Sequence, residues 1–143
     1  MPEDQKKNYI GVKRIEAYPE DHDGQPGYAV IYPDGYKSWS PKAVFEAAYF
    51  PIDRADKLTE NDIDRFLDAG GSTTYTRGQK TTVMFVTLPT GFEEFEASSC
   101  VDPKNYDENL GAEICRDHIK TRLWKYLGFL LQWATHGLKA KEE

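Results

Sequence analysis

The chain lacks the features that would export it or fix it in a membrane. No apolar run approaches the roughly 20 residues of a spanning helix, and the start, MPEDQKKNY, has no hydrophobic core that could serve as a secretion signal. Cysteine is also scarce: Cys100 and Cys115 are the two in 143 residues, and there is no Asn-x-Ser/Thr sequon. We therefore expect a protein of a reducing cytoplasm with two reduced, partly buried thiols and no membrane partner.

Positive charge is in deficit as well. Lys and Arg number 18 against 24 Asp and Glu, which gives a formal net charge of -6 at pH 7. Proteins that bind duplex DNA need a basic footprint, so the composition argues against duplex nucleic acid and against an anionic membrane surface. An acidic body also repels phosphate beyond any local cluster of cations, which favours a protein partner over a nucleic acid.

The signatures of common enzymes and metal sites are absent. There is no Gly-rich phosphate loop, no GxGxxG and no GxSxG. His22 lies between Asp21 and Asp23, but ligands this close in sequence seldom converge on a metal without distant partners, and a solvated loop is the better interpretation. Cys100 and His118 are residue types found in nucleophilic pairs, yet nothing in the sequence brings them together. We therefore predict no catalytic residue, no metal and no cofactor, and hence a protein that is not an enzyme.

What the chain does contain is aromatic residues, nine Tyr, seven Phe and three Trp, in two predicted modules. In the first, residues 8–52, a strand over Tyr9–Ala17 precedes a polar loop over residues 20–27. Two further strands, 28–32 and 36–39, flank Pro33-Asp34-Gly35, a sequence typical of a β-hairpin turn. Ser40-Pro41 predicts the start of a short helix. Its apolar stripe would be Val44, Phe45, Ala48 and Tyr49, with Pro51 at its end.

The second predicted module covers residues 59–136, after a charged linker at 53–58. Thr59 and Asp62 have the spacing of a capping box at the start of a helix, and Gly70-Gly71 would end that helix. Three strands follow, at 72–76, 81–88 and 92–99. The middle strand is apolar on both faces, so we expect it to be central.

A long helix is predicted from Pro103 to about His136, because Asp102 can cap a first turn and proline fits its first position. Gly111 and Gly128 weaken a helix, which predicts a bend or a break near Gly128. The predicted fold is α+β: a small antiparallel sheet with short helices and a long C-terminal helix. The apolar face of that helix is too broad for the other elements to cover, so we expect a homo-oligomer. Its members are Leu110, Ile114, Ile119, Leu123, Tyr126, Leu127, Leu130 and Ala134.

The long helix also concentrates cations in an otherwise acidic chain. Arg116 and Lys120 share one face, and His118 and Arg122 share an adjacent one. Salt bridges to Glu113, Asp117 and the preceding hairpin are the simpler explanation. The functional alternative is an anion pocket in which Arg grips phosphate and an aromatic ring stacks on a base. The candidate rings are Phe92, Phe95 and Tyr106.

The last predicted strand carries three carboxylates, Glu93, Glu94 and Glu96. Glu94 and Glu96 share one face of the strand and Glu93 the other. Paired carboxylates can serve acid–base chemistry. Charge that protects an exposed edge strand from aggregation is the more common use, and we prefer that interpretation.

Two stretches of the sequence resemble known phage proteins. YIGVKRIEAYPE with GYAVIYPDGYKSWSPKAVFEAAYFPI resembles a short module of tailed-phage and prophage genomes. LTENDIDRFL with TTVMFVTLPTGFEEFEASSCVDPKNYDENLGAEICRDHIKTRLWKYLGFLL is similar to a family of small phage accessory proteins marked by the Cys-Val-Asp-Pro junction. Such proteins are non-structural, and several act against host immunity. The resemblance implies a role in the host cytoplasm against host defence.

A second, weaker resemblance is to the Thoeris anti-defence sponges, small oligomeric phage proteins that bind cyclic ADP-ribose isomers. The shared features are an aromatic on a strand, an Asn at the junction and an Arg on the long helix. This resemblance implies non-catalytic sequestration of a small nucleotide-derived signal. The residues that match these features are Phe95, Asn105 and Arg122. Together with Phe92, Arg116 and Lys120 of the anion pocket described above, they are the predicted ligand-binding residues.

Two alternatives remain open at this point. The chain could bind and inhibit a host protein through the aromatic surface of the first module, formed by Tyr28, Tyr32, Tyr36 and Trp39, because Tyr and Trp favour half-buried surfaces and interfaces. A hydrolase that acts on such nucleotides is the third hypothesis.

Overall fold

A computed structural model describes residues 3–140 and confirms the predicted α+β class. It contains two three-stranded antiparallel sheets rather than one. The described chain forms two compact units, one from residues 3–50 with 129–140 and the other from residues 51–128. The predicted modules at 8–52 and 59–136 stay a prediction. No helix among the described residues has the length and apolar character needed to cross a membrane.

The first unit contains a short 3₁₀ turn at Glu3–Gln5, a sheet and a helix. Its strands are β1 (Glu16–Pro19), β2 (Gly27–Ile31) and β3 (Lys37–Pro41), in that spatial order, and α1 (Lys42–Ala48) follows. The prediction of a strand over Tyr9–Ala17 is wrong in extent. The first strand begins at Glu16, because β2 has only five residues and its last residue, Ile31, pairs with Glu16. β2 therefore offers no partner to the residues before Glu16.

The predicted hairpin turn is confirmed, whereas the predicted helix cap is not. Gly35 has φ +90°, and its N–H donates to the carbonyl of Tyr32 at 2.8 Å. Ser40 belongs to β3, where it pairs with Tyr28, and its hydroxyl donates to the Pro41 carbonyl at 3.4 Å. α1 therefore begins one residue later than predicted, with Pro41 at its N-cap and no side-chain cap.

The second unit contains α2 (Glu60–Asp68) and the strands β4 (Gly71–Arg77), β5 (Thr81–Thr87) and β6 (Glu93–Ser99). The order β4-β5-β6 places β5 at the centre, as predicted. Only one face of β5 is buried, however, because alternate side chains point into the core and the others outward. The core consists of Ile63, Leu67, Met84, Val86, Leu88, Cys115, Ile119 and Leu123.

A capping box holds the start of α2, as the sequence predicts. The Thr59 hydroxyl accepts from the N–H of Asp62 at 3.3 Å, and an Asp62 carboxylate oxygen accepts from the N–H of Thr59 at 2.8 Å. Asp62 is fully buried and also accepts from the N–H of Asp53 and from Arg65. This carboxylate therefore ties the segment before α2 to the helix itself.

The long helix, α3 (Glu108–His136), starts later than predicted and does not break. Asp102 caps a separate 3₁₀ turn over Pro103–Asn105 by accepting from the N–H of Lys104 at 3.0 Å. The backbone of Tyr106 is then extended, and Asp107 caps α3 by accepting from the N–H groups of its first turn. The helix continues through Gly128, so the predicted break there is wrong. One glycine costs about 1 kcal/mol, which is too little to interrupt a helix of this length.

Candidate functional site

Three stacked aromatic rings lie across the outer face of the β4-β5-β6 sheet. Tyr75, Phe85 and Phe95 come from successive strands, and we call them the aromatic ladder. The ring centroids are 6.5 Å apart for Tyr75 and Phe85 and 5.8 Å apart for Phe85 and Phe95, with interplanar angles of 8° and 29°. Their exposed fractions are 43%, 45% and 67%. The ladder faces outward because the opposite face of β5, with Thr82, Met84 and Val86, is buried.

Such a ladder is a surface on which planar groups can stack. Aromatic faces accept other aromatic rings in offset or edge-to-face geometry, and proteins without base preference hold nucleobases in this way. Phe95 is the ring at the β6 end of the ladder and the most exposed of the three. A ligand that arrives at the β6 edge would therefore meet Phe95 first.

Arg122 of α3 lies at the same edge. Its Nη1 donates to Glu96 at 2.7 Å, its Nε to Glu94 at 3.3 Å, and its Nη2 to the carbonyl of Phe95 at 3.0 Å. The hydrogen bond from Arg122 lowers the pKa of Glu96 and raises the pKa of the guanidinium in turn. Phe95 and Arg122 thus meet at one strand edge, although the Phe95 ring lies on the outer face of the sheet and Arg122 reaches it from the inner one.

Phe92 lies apart from the ladder. It belongs to the turn before β6, and its ring contacts Tyr126 edge-on at 6.4 Å between centroids. Tyr126 donates its hydroxyl to Glu94 at 2.5 Å, and this hydrogen bond raises the pKa of the phenol. Phe92 is 62% exposed, so it offers a second ring, beside Tyr126 and on a different surface.

Arg116 and Lys120 face α2 rather than β6. Lys120 Nζ lies 2.8 Å from Asp64 and 3.0 Å from Glu60, and Arg116 lies 3.0 Å from Asp68 and 3.6 Å from Asp64. The hydrogen bond from Lys120 lowers the pKa of Asp64, and the same bond raises the pKa of Lys120. These are salt bridges of the kind that the simpler explanation anticipates, with carboxylates of α2 in place of Glu113 and Asp117.

The junction before α3 places Asn105 and Tyr106 differently. Asn105 has an exposed side chain in the 3₁₀ turn. Tyr106 points its hydroxyl at Thr82 Oγ1, 2.7 Å away, and at Thr76 Oγ1, 2.8 Å away. Tyr106 therefore fastens the junction to the sheet and is not a free stacking ring. The first N–H groups of α3 are occupied by Asp107.

The residues considered for chemistry are dispersed. Cys115 is buried, which raises the pKa of its thiol, and Cys100 donates its thiol to the Asp102 carbonyl at 3.2 Å. His118 Nδ1 lies 3.8 Å from Glu96, and both cysteines are free thiols. Within residues 3–140, no three His, Cys, Asp or Glu side chains are arranged to hold a metal ion.

The aromatic residues of the first unit do not share one surface. Trp39 pairs with Ala29, whereas Tyr28 pairs with Ser40, so Trp39 lies on the opposite face of the sheet from Tyr28. The Trp39 indole donates to the Glu20 carbonyl at 2.7 Å and stacks on His22, with 4.3 Å between ring centroids. An open groove of about 570 Å³ remains at the hairpin. It is lined by Lys13, Tyr32, Pro33, Asp34 and Tyr36.

The ladder is not apparent from the sequence, because Tyr75 and Phe85 belong to no local motif. Tyr75, Phe85 and Phe95 follow one another at intervals of 10 residues along the chain. Only the register, in which Thr73, Phe85 and Phe95 are aligned, brings the three rings together. The available signal is the period of two in each strand: Phe85 and Phe95 occupy exposed positions, and the residues on either side of each are less exposed.

Comparison with known proteins gives one family match. The model of a family described as phage protein (N4 Gp49/phage Sf6 gene 66) matches residues 42–135, more than half of the chain. The match includes the second unit and most of α3. No curated protein and no solved structure matches the chain.

Proposed function

This chain belongs to the N4 Gp49/phage Sf6 gene 66 family of phage proteins, and we propose that it acts as an accessory protein by non-catalytic binding, sequestering a small nucleotide-derived signal of host defence. The observation that carries the proposal is the exposed Phe95 ring on the outer face of the β6 edge, at the residue whose carbonyl accepts from the Arg122 guanidinium on the inner side. A nucleotide needs these two contacts, a flat ring for the base and a cation for the phosphate.

The base would stack on Phe95 as an additional ring of the aromatic ladder. Base stacking on an aromatic side chain is worth about 1–3 kcal/mol in proteins that bind single-stranded nucleic acid. The Phe85 ring stacks on Phe95 and the Tyr75 ring stacks on Phe85, so a base on Phe95 would extend an existing row of rings. The phosphate would then extend past the β6 edge toward Arg122, with Asn105 as a further candidate contact, whereas Arg116 and Lys120 are held by carboxylates of α2.

The carboxylates around Arg122 set a condition on this binding. Glu94 and Glu96 already neutralise the guanidinium, so a phosphate has to replace one of them. Glu96 is the more exposed of the two side chains, at 22% against 12%. Glu96 would therefore be the carboxylate that yields, and its charge opposes the ligand.

Calorimetry against cyclic dinucleotides, cyclic trinucleotides and cyclic ADP-ribose isomers tests the proposal. For a ligand that binds, Phe95→Ala and Arg122→Ala should each weaken affinity at least tenfold, equivalent to about 1.4 kcal/mol or more. Glu96→Gln should strengthen affinity, because it removes the competing charge and leaves Arg122 in place. Tyr36→Ala is the matched control, since Tyr36 is a comparably exposed ring outside the ladder and outside the predicted ligand-binding residues.

The ligand recovered by heating the protein should be chemically intact, because a binding protein releases what it holds and an enzyme does not. Absence of heat from the whole panel would contradict the proposal. So would a Glu96→Gln variant that binds more weakly than the wild type.

The hairpin groove of the first unit supports a second candidate, the capture of a host protein. Tyr32 and Tyr36 stack there with 5.9 Å between centroids, and Lys13 lies 5.3 Å above the Tyr32 ring. Tyrosine is enriched among residues that dominate protein interfaces. Pull-down from host lysate would then fail for Tyr36→Ala and persist for Phe95→Ala. The reverse pattern would indicate that the host protein binds at the aromatic ladder instead.

A further inference from the structure

The free edge of β4 presents unpaired backbone groups in a regular pattern. The N–H of Leu88 donates to Phe92 at 2.8 Å, and that of Cys100 to Lys80 at 3.0 Å, so the even-numbered residues of β5 bond to β6. Odd-numbered residues of β5 must therefore bond to β4. With Thr73 opposite Phe85 and Tyr75 opposite Val83, the odd-numbered residues of β4 are the ones that face β5. The N–H and C=O groups of Ser72, Thr74 and Thr76 point away from the sheet.

The other free edge of the same sheet carries an arginine contact and three carboxylates, whereas at the β4 edge the side chains of Tyr106 and Glu108 contact the Thr76 hydroxyl and leave the outward backbone groups of β4 open. On β6, the outward carbonyl of Phe95 accepts from Arg122, and the strand carries Glu93, Glu94 and Glu96. Natural proteins use such charges to prevent strands from pairing edge to edge. β4 reads Gly-Ser-Thr-Thr-Tyr-Thr-Arg, with no carboxylate and no proline. Ser72 and Thr76 are exposed, and among the described residues no backbone partner covers this edge.

We propose that β4 is a self-association edge that pairs antiparallel with β4 of a second copy, around a two-fold axis at Thr74. In this register Thr74 lies opposite its own copy and Ser72 opposite Thr76. In this register all the outward N–H and C=O groups of these three residues form hydrogen bonds with the second copy, and the two strands do not have to shift along each other. An isologous pairing of this kind closes on itself at two copies.

The side chains agree with this register on both faces. On the inner face it creates Thr–Thr and Ser–Thr pairs, which stabilise adjacent strands. On the outer face Thr73 lies opposite Tyr75, and the two Tyr75 rings become diagonal neighbours, roughly 7–8 Å apart and within reach of each other. The two aromatic ladders thereby join into one stripe across a continuous sheet. Strand addition to an open edge is an established mode of recognition.

A proline at the axis tests the proposal. The N–H of Thr74 is not used within its own sheet, so Thr74→Pro leaves the β4–β5 hydrogen bonds intact and removes a donor that the second copy needs. Ala97→Pro is the control at the guarded edge of β6, because the N–H of Ala97 also points outward and donates to the adjacent Glu96 carboxylate at 3.4 Å rather than to another strand. Light scattering at micromolar concentration should show half the wild-type mass for Thr74→Pro and the wild-type mass for Ala97→Pro. Circular dichroism and thermal melting should show that both variants are folded.

Hydrogen exchange on the wild type gives a second measurement that needs no variant. The amides of Ser72, Thr74 and Thr76 should be protected, and more so as protein concentration rises. The outward amides of Phe95 and Ser99 on β6 should exchange quickly at every concentration. A monomeric wild type, a folded Thr74→Pro variant of unchanged mass, or fast exchange at all three β4 amides would each overturn the proposal.

Discussion

Gly111 is the residue on which the approach of α3 to the sheet depends. A Cβ atom added there would lie 2.7 Å from the Cβ of Thr82, closer than real side chains allow. Thr82 cannot yield, because it is fully buried and its hydroxyl is bonded to Tyr106. Gly128, in the same helix, has open space around it. Gly111 is therefore needed for the close packing of α3 on the sheet, whereas Gly128 has no packing role.

We predict that Gly111→Ala and Gly128→Ala change stability in opposite directions. Overpacking at Gly111 should lower the free energy of unfolding by about 1–3 kcal/mol. Gly128→Ala should raise it by up to roughly 1 kcal/mol, because alanine loses less backbone entropy in a helix. Urea denaturation measures both changes. A Gly111→Ala variant as stable as the wild type would contradict the close packing of α3 against Thr82.

At the scale of elements, ion pairs connect α2 and α3. Asp64 of α2 contacts both Lys120 and Arg116, and these contacts lower its pKa. The same arrangement recurs between β6 and α3, where Arg122 lowers the pKa of Glu96. Because both carboxyls titrate below their ordinary values in the folded state, the unfolded chain binds protons first as pH falls. Their contribution is present at neutral pH and lost in acid.

We predict that stability falls as pH drops from the ordinary carboxyl values, 3.8 for Asp64 and 4.5 for Glu96, through their lowered values in the folded chain. Asp64→Asn should flatten this dependence and cost below about 1 kcal/mol at pH 7, since the pair is partly exposed. Glu113→Gln is the control, because Glu113 is exposed on α3 and makes no ion pair with any described residue. Urea midpoints between pH 7 and pH 3 provide the measurement. Equal slopes for wild type and Asp64→Asn would contradict the assignment.

At the scale of the whole molecule, α3 leaves large apolar side chains in water. Phe129 is 68% exposed and Leu130 41% exposed, whereas Leu127 packs against the core of the second unit. Exposed apolar side chains on one helix are typical of an interface. Association through this helix is a prediction separate from the β4 edge, since it uses different residues.

We predict that Leu130→Glu weakens self-association through α3, because a charge in an apolar interface is costly to desolvate. Sedimentation should show a lower mass for this variant at micromolar concentration. Lys125→Glu, an exposed substitution on the same helix, should keep the wild-type mass. Leu127→Glu is the less informative change, because it would disturb the core. If Leu130→Glu leaves the mass unchanged, α3 is not an interface.

The features that the sequence predicted correctly are those settled within a few residues. The capping box of Thr59 and Asp62 and the turn at Pro33-Asp34-Gly35 depend on local chemistry, and both are confirmed. The α+β class follows when such local signals are combined along the chain, one helix or strand at a time. The start of α3 was misplaced because Asp102-Pro103 is an equally good start for a 3₁₀ turn. The resemblance to phage proteins can be recognised from the sequence because a run of adjacent residues carries it. The family match confirms that the chain belongs to a phage protein family.

The sequence by itself determined the class of fold, the central strand and the family of the chain. Periodicity, turn residues and local motifs depend only on residues that are close together in the sequence. Only the tertiary structure decided which partners the charges have and which rings share a face. Arg116 and Lys120 face carboxylates of α2, and Phe95 joins Phe85 at the edge that Arg122 reaches. The physical reason is that strand register and helix rotation bring together residues far apart in sequence, and a shift of one residue would turn each side chain to the opposite face.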